Sequence, residues 1–128
     1  MNKYKSQNWN IELANGWVGE LEEDIHIIYH PNGVGALQFS AYIKESPITN
    51  EDLIESTGLD DEGISHLKKN NWGQFEGYEL NYSDGENFWR KWWLSKGNIL
   101  LFVTYNCEIQ DKDQELNDVN RMVSSLNE

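Results

Sequence analysis

Apolar and polar positions alternate with a period of two over most of the chain, giving way to helical spacing in two places. Asn8-Trp9-Asn10-Ile11-Glu12-Leu13 alternates and ends at Asn15-Gly16-Trp17, which predicts a strand running into a turn. After the acidic stretch Glu20-Leu21-Glu22-Glu23-Asp24, the β-branched and aromatic run Ile25-His26-Ile27-Ile28-Tyr29-His30 meets a turn at Pro31-Asn32-Gly33. Residues 35–43 then set Leu37, Phe39, Ala41 and Ile43 against Gln38, Ser40 and Tyr42. These two runs predict a hairpin whose set from Leu37 to Ile43 faces inward.

Helical signals begin at Thr49-Asn50-Glu51-Asp52, where a capping hydroxyl precedes an acidic first turn, and Gly58 is a stop. A second short helix is expected over residues 61–69, with Ile64 and Leu67 on one face and Lys68 and Lys69 in its last turn. Residues 72–107 predict three antiparallel strands joined by two-residue turns at Asp84-Gly85 and Gly97-Asn98. Leu116, Val119, Val123 and Leu126 recur at helical spacing and close the chain with one amphipathic helix, its start placed at the acidic residues 111–115.

The two turns imply a register. A loop at Asp84-Gly85 places Leu80 opposite Trp89, Tyr78 opposite Lys91 and Gly77 opposite Trp92, and a loop at Gly97-Asn98 places Trp93 opposite Phe102 and Lys91 opposite Thr104. One face then holds Phe75, Trp92, Leu94, Leu101 and Val103, with a Glu79 and Arg90 pair farther along. The other holds Tyr78, Leu80, Tyr82, Trp89, Trp93, Leu100 and Phe102 around Lys91. Both faces are apolar, so both need cover. The expected class is α+β, as an α/β/α sandwich with a central antiparallel sheet and an order of roughly β-β-β-α-α-β-β-β-α. It forms a single domain over residues 1–128.

Composition narrows what this domain does. At 128 residues, 38% hydrophobic but 12% aromatic, with six tryptophans, the chain can build one core. A net charge of −12, from 22 acidic against 10 basic residues, disfavours nucleic acid and anionic membranes and favours a basic protein partner. The longest apolar run, residues 99–103, is far too short to span a bilayer. No apolar secretory segment opens the chain, and the single Cys107 fits a reducing compartment; a cytoplasmic location is expected.

The run Phe88-Trp89-Arg90-Lys91-Trp92-Trp93 carries the candidate binding residues. Most of it is expected to be core. Lys91, between the same-face tryptophans Trp89 and Trp93 and beside Tyr78, would form a cation–π cluster suited to an acidic or aromatic partner group wherever the cover is incomplete. The binding candidates are therefore Trp89, Lys91, Trp93 and Tyr78.

The whole chain resembles the PsbP-like fold, shared by the photosystem subunit PsbP, the Ran-binding Mog proteins and many small bacterial proteins. The likeness rests on Asn15-Gly16-Trp17, the hairpin from Tyr29 to Ser40, Trp72-Gly73-Gln74-Phe75-Glu76-Gly77, Trp89 to Leu94, Gly97 to Tyr105 and the closing helix. It implies a small bacterial accessory or binding protein. The calcium or manganese ligands of the plant members have no counterpart position in this chain.

Other chemistry finds little support. His26 and His30 have the spacing of a helical metal pair, but on a strand they lie roughly 13 Å apart and cannot share an ion. They read as single surface histidines. Cys107 lacks a catalytic signature and reads as a buried strand-end thiol. The acidic segments 20–24 and 60–63 lack the alternating ligands of an EF-hand and read as solvated faces or helix starts. No metal, cofactor or catalytic residue is assigned. The expected function is a non-catalytic protein-binding or accessory module, of immunity or antitoxin type, that binds a basic partner. The alternative is a small-molecule binder or enzyme with an aromatic pocket around Lys91, between the sheet and the helices at residues 49–69.

Overall fold

The computed structural model describes residues 2–128. Five strands precede the first helix: β1 (Lys3–Lys5), β2 (Asn10–Glu12), β3 (Val18–Glu22), β4 (Ile25–Tyr29) and β5 (Ala36–Ile43). Two helices follow, α1 (Asn50–Thr57) and α2 (Asp61–Ser65), then four strands, β6 (Lys68–Trp72), β7 (Phe75–Asp84), β8 (Asn87–Lys96) and β9 (Ile99–Glu108). A 3-10 turn at Ile109–Asp111 leads to α3 (Leu116–Ser124). The fold is mixed α+β with a sheet-dominated core: β3 to β9 form one seven-stranded antiparallel sheet in the order β3-β4-β5-β9-β8-β7-β6, and β1 pairs with β2 apart from it.

The strand count corrects the order expected from the sequence, which placed three strands on each side of the helices. β1 is only three residues long, and the sequence of β3 has the pattern of an acidic stretch because Glu20 and Glu22 alternate with Gly19 and Leu21. The second helix ends at Ser65, so Lys68 and Lys69, expected in its last turn, lie in β6, whose first four residues are exposed. A polar edge strand shows none of the apolar alternation by which strands are recognised.

The central register follows from two glycines. Gly85 (φ 60°) and Gly97 (φ 59°) are each the first residue of a two-residue loop, the place where a type II′ hairpin requires a positive φ. Gly97-Asn98 gives the expected pairs, with Trp93 opposite Phe102 and Lys91 opposite Thr104. The other loop is Gly85-Glu86, not Asp84-Gly85, so Tyr82 stands opposite Trp89, Leu80 opposite Lys91 and Gly77 opposite Leu94. The slip moves each partner by two residues, and every side chain keeps its face.

The principal core lies between the sheet and a layer made of β1, β2 and α3. Trp9, Ile11 and Trp17 pack there with Phe39, Trp92, Val103, Val119 and Met122. Trp9 stacks on Phe39 at 4.3 Å between ring centroids, and Trp17 Nε1 donates to Asp118 Oδ2 at 3.1 Å, tying the first turn to α3. Burying side chains of this size stabilises by roughly 2–3 kcal/mol each. Of the hairpin set expected to face inward, Leu37 and Phe39 are fully buried and Ala41 is partly buried, but Ile43 is 56% exposed, because the covering layer ends before it.

A smaller cluster lies on the opposite face, where Leu53 of α1 packs on Trp93 and Leu100. α1 is fixed at both ends. Thr49 and Asp52 form a reciprocal capping box, and Gly58 closes the helix at φ 68°. The Thr49 backbone N–H, and then Lys44 at 3.0 Å, hold the Asp52 carboxyl below its usual range.

Candidate functional site

The face beneath α1 carries all four candidate residues from the sequence, and the structure divides them into two pairs. Trp93 is buried by Leu53 and stacks with Phe102 at 5.6 Å. Tyr78, opposite Trp93 on β7, donates its hydroxyl hydrogen to Asn50 Oδ1 at the start of α1. These two residues seat a helix. Trp89 and Lys91, farther along β8, lie outside that cluster and are only partly buried.

Lys91 Nζ sits 5.3 Å from the Trp89 ring centroid and 5.2 Å from that of Tyr82. Tyr82, not Trp93, is therefore its second aromatic neighbour. Face parity already placed Tyr82 on this side, and only the two-residue slip at Gly85 brings it opposite Trp89. Among the described residues Lys91 has neither an ion-pair partner nor a side-chain hydrogen bond. A cation held by two rings and left open to one side is a contact group worth about 0.5–1 kcal/mol per ring at such exposure.

On the other face, Arg90 Nη2 meets Glu79 Oε2 at 3.0 Å and Asn120 Oδ1 at 2.7 Å, and the guanidinium lies 4.7 Å from the Trp92 ring. The expected pairing of Glu79 with Arg90 is thus made, across a diagonal, because Glu79 stands directly opposite Trp92. Removing either partner would strand a buried charge, so this pair belongs to the framework.

α1 and α2 bring charge to the face that holds Lys91. Residues 50–65 contain Glu51, Asp52, Glu55, Asp60, Asp61 and Glu62 and no lysine or arginine. The Asp52 carboxylate accepts from the Thr49 N–H at 2.9 Å within the capping box of α1, and Asp60 caps α2, accepting from the Gly63 N–H at 2.8 Å. Glu51, Glu55, Asp61 and Glu62 are exposed and in no ion pair among the described residues.

Several other ionisable residues hold the framework together. His26 accepts from or donates to the Tyr4 hydroxyl at 2.7 Å against Trp9, and burial lowers its pKa. His30 stands against Trp17. Both histidines are half-buried rather than at the surface. Cys107 is buried, which pushes its thiol pKa up. Glu115 accepts from Tyr105 Oη at 2.7 Å and from Gly35 N at 3.0 Å, pinning the Gly33–Gly35 turn to the start of α3; sequence reading missed this role, since nothing local distinguishes Glu115 from its acidic neighbours. Among the described residues no group of three or more His, Cys, Asp or Glu is placed to hold a metal. Among the described residues no helix is long and apolar enough to cross a membrane.

Comparison with known proteins places the chain by fold. No family model matches it, and no curated protein matches it. Among solved structures it is similar to a protein from Bacteroides thetaiotaomicron VPI-5482, with a TM-score of 0.76 and 14% identity, over 98% of this chain and 47% of that one. The chain spans about half the length of that protein. At such identity the likeness concerns the fold alone.

Proposed function

We propose that this protein is a non-catalytic protein-binding or accessory module of the bacterial cytoplasm, immunity- or antitoxin-like in kind, that holds a basic partner through its acidic surface. The observation that carries this is the α1–α2 layer, with six carboxylates and no lysine or arginine, on the same face as the open Trp89–Lys91–Tyr82 cluster. The helices' carboxylates outnumber the lysines beside them, Lys69 against Tyr78 and Lys91, and such an excess speeds encounter with an oppositely charged protein while the aromatic groups supply contact area. We also read the arrangement as an α/β/α sandwich of PsbP-like type in which α1 and α2 cover only part of one face.

The test compares the protein with a variant carrying Asp61→Asn, Glu62→Gln, Glu51→Gln and Glu55→Gln, exposed carboxylates that take no part in capping. Used as bait in host lysate, the protein should retain a basic protein at low salt and release it at high salt, and the variant should retain much less. Equal capture by both would overturn the proposal. The alternative, a small-molecule binder or enzyme around Lys91, has in its favour a hollow of about 400 Å3 lined by Tyr42, Ser56, Trp93, Leu100 and Phe102. Lys91 does not line it, and the hollow gathers few polar groups, so the binding module is the better supported reading.

A further inference from the structure

Both terminal edges of the seven-stranded sheet carry charge. β3 presents Glu20 and Glu22, and β6 presents Lys68 and Lys69, which discourages a further strand from pairing there. A third unpaired stretch lies inside the sheet. β5 pairs with β9 as far as Ile43↔Ile99, but its ladder with β4 ends at His26↔Phe39. Past that point β5 has a neighbour on one side only.

Strand alternation shows where its backbone groups point. Lys44 donates its N–H to Asn98 O at 3.0 Å on the β9 side, so the N–H and C=O groups of Ala41 and Ile43 turn to the empty side. No partner meets them there among the described residues. The overhang Ala41-Tyr42-Ile43 is uncharged, with Tyr42 60% and Ile43 56% exposed on opposite faces. Beside it lies a hollow of about 500 Å3, lined in part by Trp9, Leu21, Glu23, Asp24, Ile25 and Tyr42. Four of the six exposed large apolar residues among the described residues, Leu21, Ile25, Tyr42 and Ile43, gather at this one place.

We propose that the β5 overhang at residues 41–43 is a strand-addition site that takes an extended basic segment of a protein partner, laid in line with β4. The inference rests on the reading of a basic partner given above and adds a second contact surface for that partner beside the α1–α2 layer. Main-chain bonds to Ala41 and Ile43 hold the segment, and the hollow selects its alternate side chains. Glu23 and Asp24 at the mouth of the hollow, with no lysine or arginine in its lining, favour a basic segment. A second copy of the chain brings another −12 of charge and is disfavoured as the occupant.

The probe is a synthetic pentapeptide of alternating apolar and basic residues, Ac-Val-Lys-Ile-Arg-Val-NH2, with a second peptide carrying Glu and Asp in the basic positions as control. Amide spectra and hydrogen exchange of the full chain are read during titration. The basic peptide should slow exchange at Ala41 and Ile43 by about tenfold or more and the acidic one should not. Tyr42→Lys, which puts a guarding charge on the edge, should abolish the effect. Glu23→Gln with Asp24→Asn should weaken it several-fold without touching the strand, and decides the matter should Tyr42→Lys fold poorly. Shifts confined to α1 and α2 would overturn this site while leaving the basic partner standing. The absence of any shift would overturn this site, while the basic partner itself is judged by the capture experiment with the α1–α2 variant. Protection that appears without peptide and grows with protein concentration would make a second copy the occupant and overturn the inference as stated.

Discussion

Replacing Leu53 with alanine tests whether α1 is held to the sheet by a single apolar anchor. Leu53 is the one buried residue of the helix, 3% exposed, and it touches the cluster of Trp93 and Leu100. Truncating a buried leucine costs about 2–5 kcal/mol, and the upper part of that range applies where the surroundings cannot collapse. Here the hollow lined by Ser56, Trp93 and Leu100 already loosens the packing, which places the expected cost at about 2–3 kcal/mol. An eight-residue helix has no stability of its own in water, so a loss of that size should release α1 before it unfolds the sheet. Residue-resolved hydrogen exchange is the assay. Amides of residues 53–57 should approach unprotected rates while those of β8 and β9 keep their protection, and Trp93 fluorescence should shift to the red. A variant whose α1 amides stay as protected as β8, or whose sheet loses protection in step with the helix, would refute the reasoning.

Three further outcomes follow from single positions. Gly73 (φ 60°) would place an added Cβ 2.1 Å from the Leu126 carbonyl oxygen, whereas Gly85, also at φ 60°, faces open space; denaturant melts should show Gly73→Ala costing about 3 kcal/mol and Gly85→Ala about 1 kcal/mol. Burial, and then the Glu115 carboxylate beside it, push the ionisation of Tyr105 above the ordinary tyrosine value of 10.0. That stabilisation is complete below pH 10 and is lost as pH rises beyond it, because the unfolded chain ionises first; melts from pH 8 to 11 should show the decline, and Tyr105→Phe should lessen it. Glu115→Ala leaves the Tyr105 hydroxyl and the Gly35 N–H without an acceptor and should cost about 2–4 kcal/mol, against much less for Glu115→Gln, which keeps an acceptor oxygen.

Where periodicity and turn chemistry act together, the sequence foretold the structure well. The capping hydroxyl of Thr49 and the stop at Gly58 stand as expected, and Gly97-Asn98 placed β8 against β9 in register. The Asp84-Gly85 loop was misplaced by one residue because Asp-Gly reads as a type I′ turn, while the chain uses Gly85 as the first residue of a II′ turn. Face assignments survived this, since the pleat repeats every two residues. β1, β3 and β6 were missed because short or charged strands at a sheet's margin carry little apolar alternation. Of the candidate site, Trp89 and Lys91 were legible as a face pair. Which tryptophan lay under a helix depended on where α1 docks, and local pattern does not encode that. The β5 overhang was invisible for a related reason: it exists only because β4 is shorter than β5, a comparison of lengths that needs the ladder itself.

The account stands or falls on whether the acidic α1–α2 layer touches a basic partner. Zero-length carbodiimide coupling, which joins a carboxylate only to an amine in direct contact with it, answers this when applied to the complex captured from host cells and followed by mass spectrometry. Links from Glu51, Glu55, Asp61 or Glu62 to lysines of the partner are the predicted result. Links that avoid residues 50–65 altogether, in a complex that holds together, would contradict it.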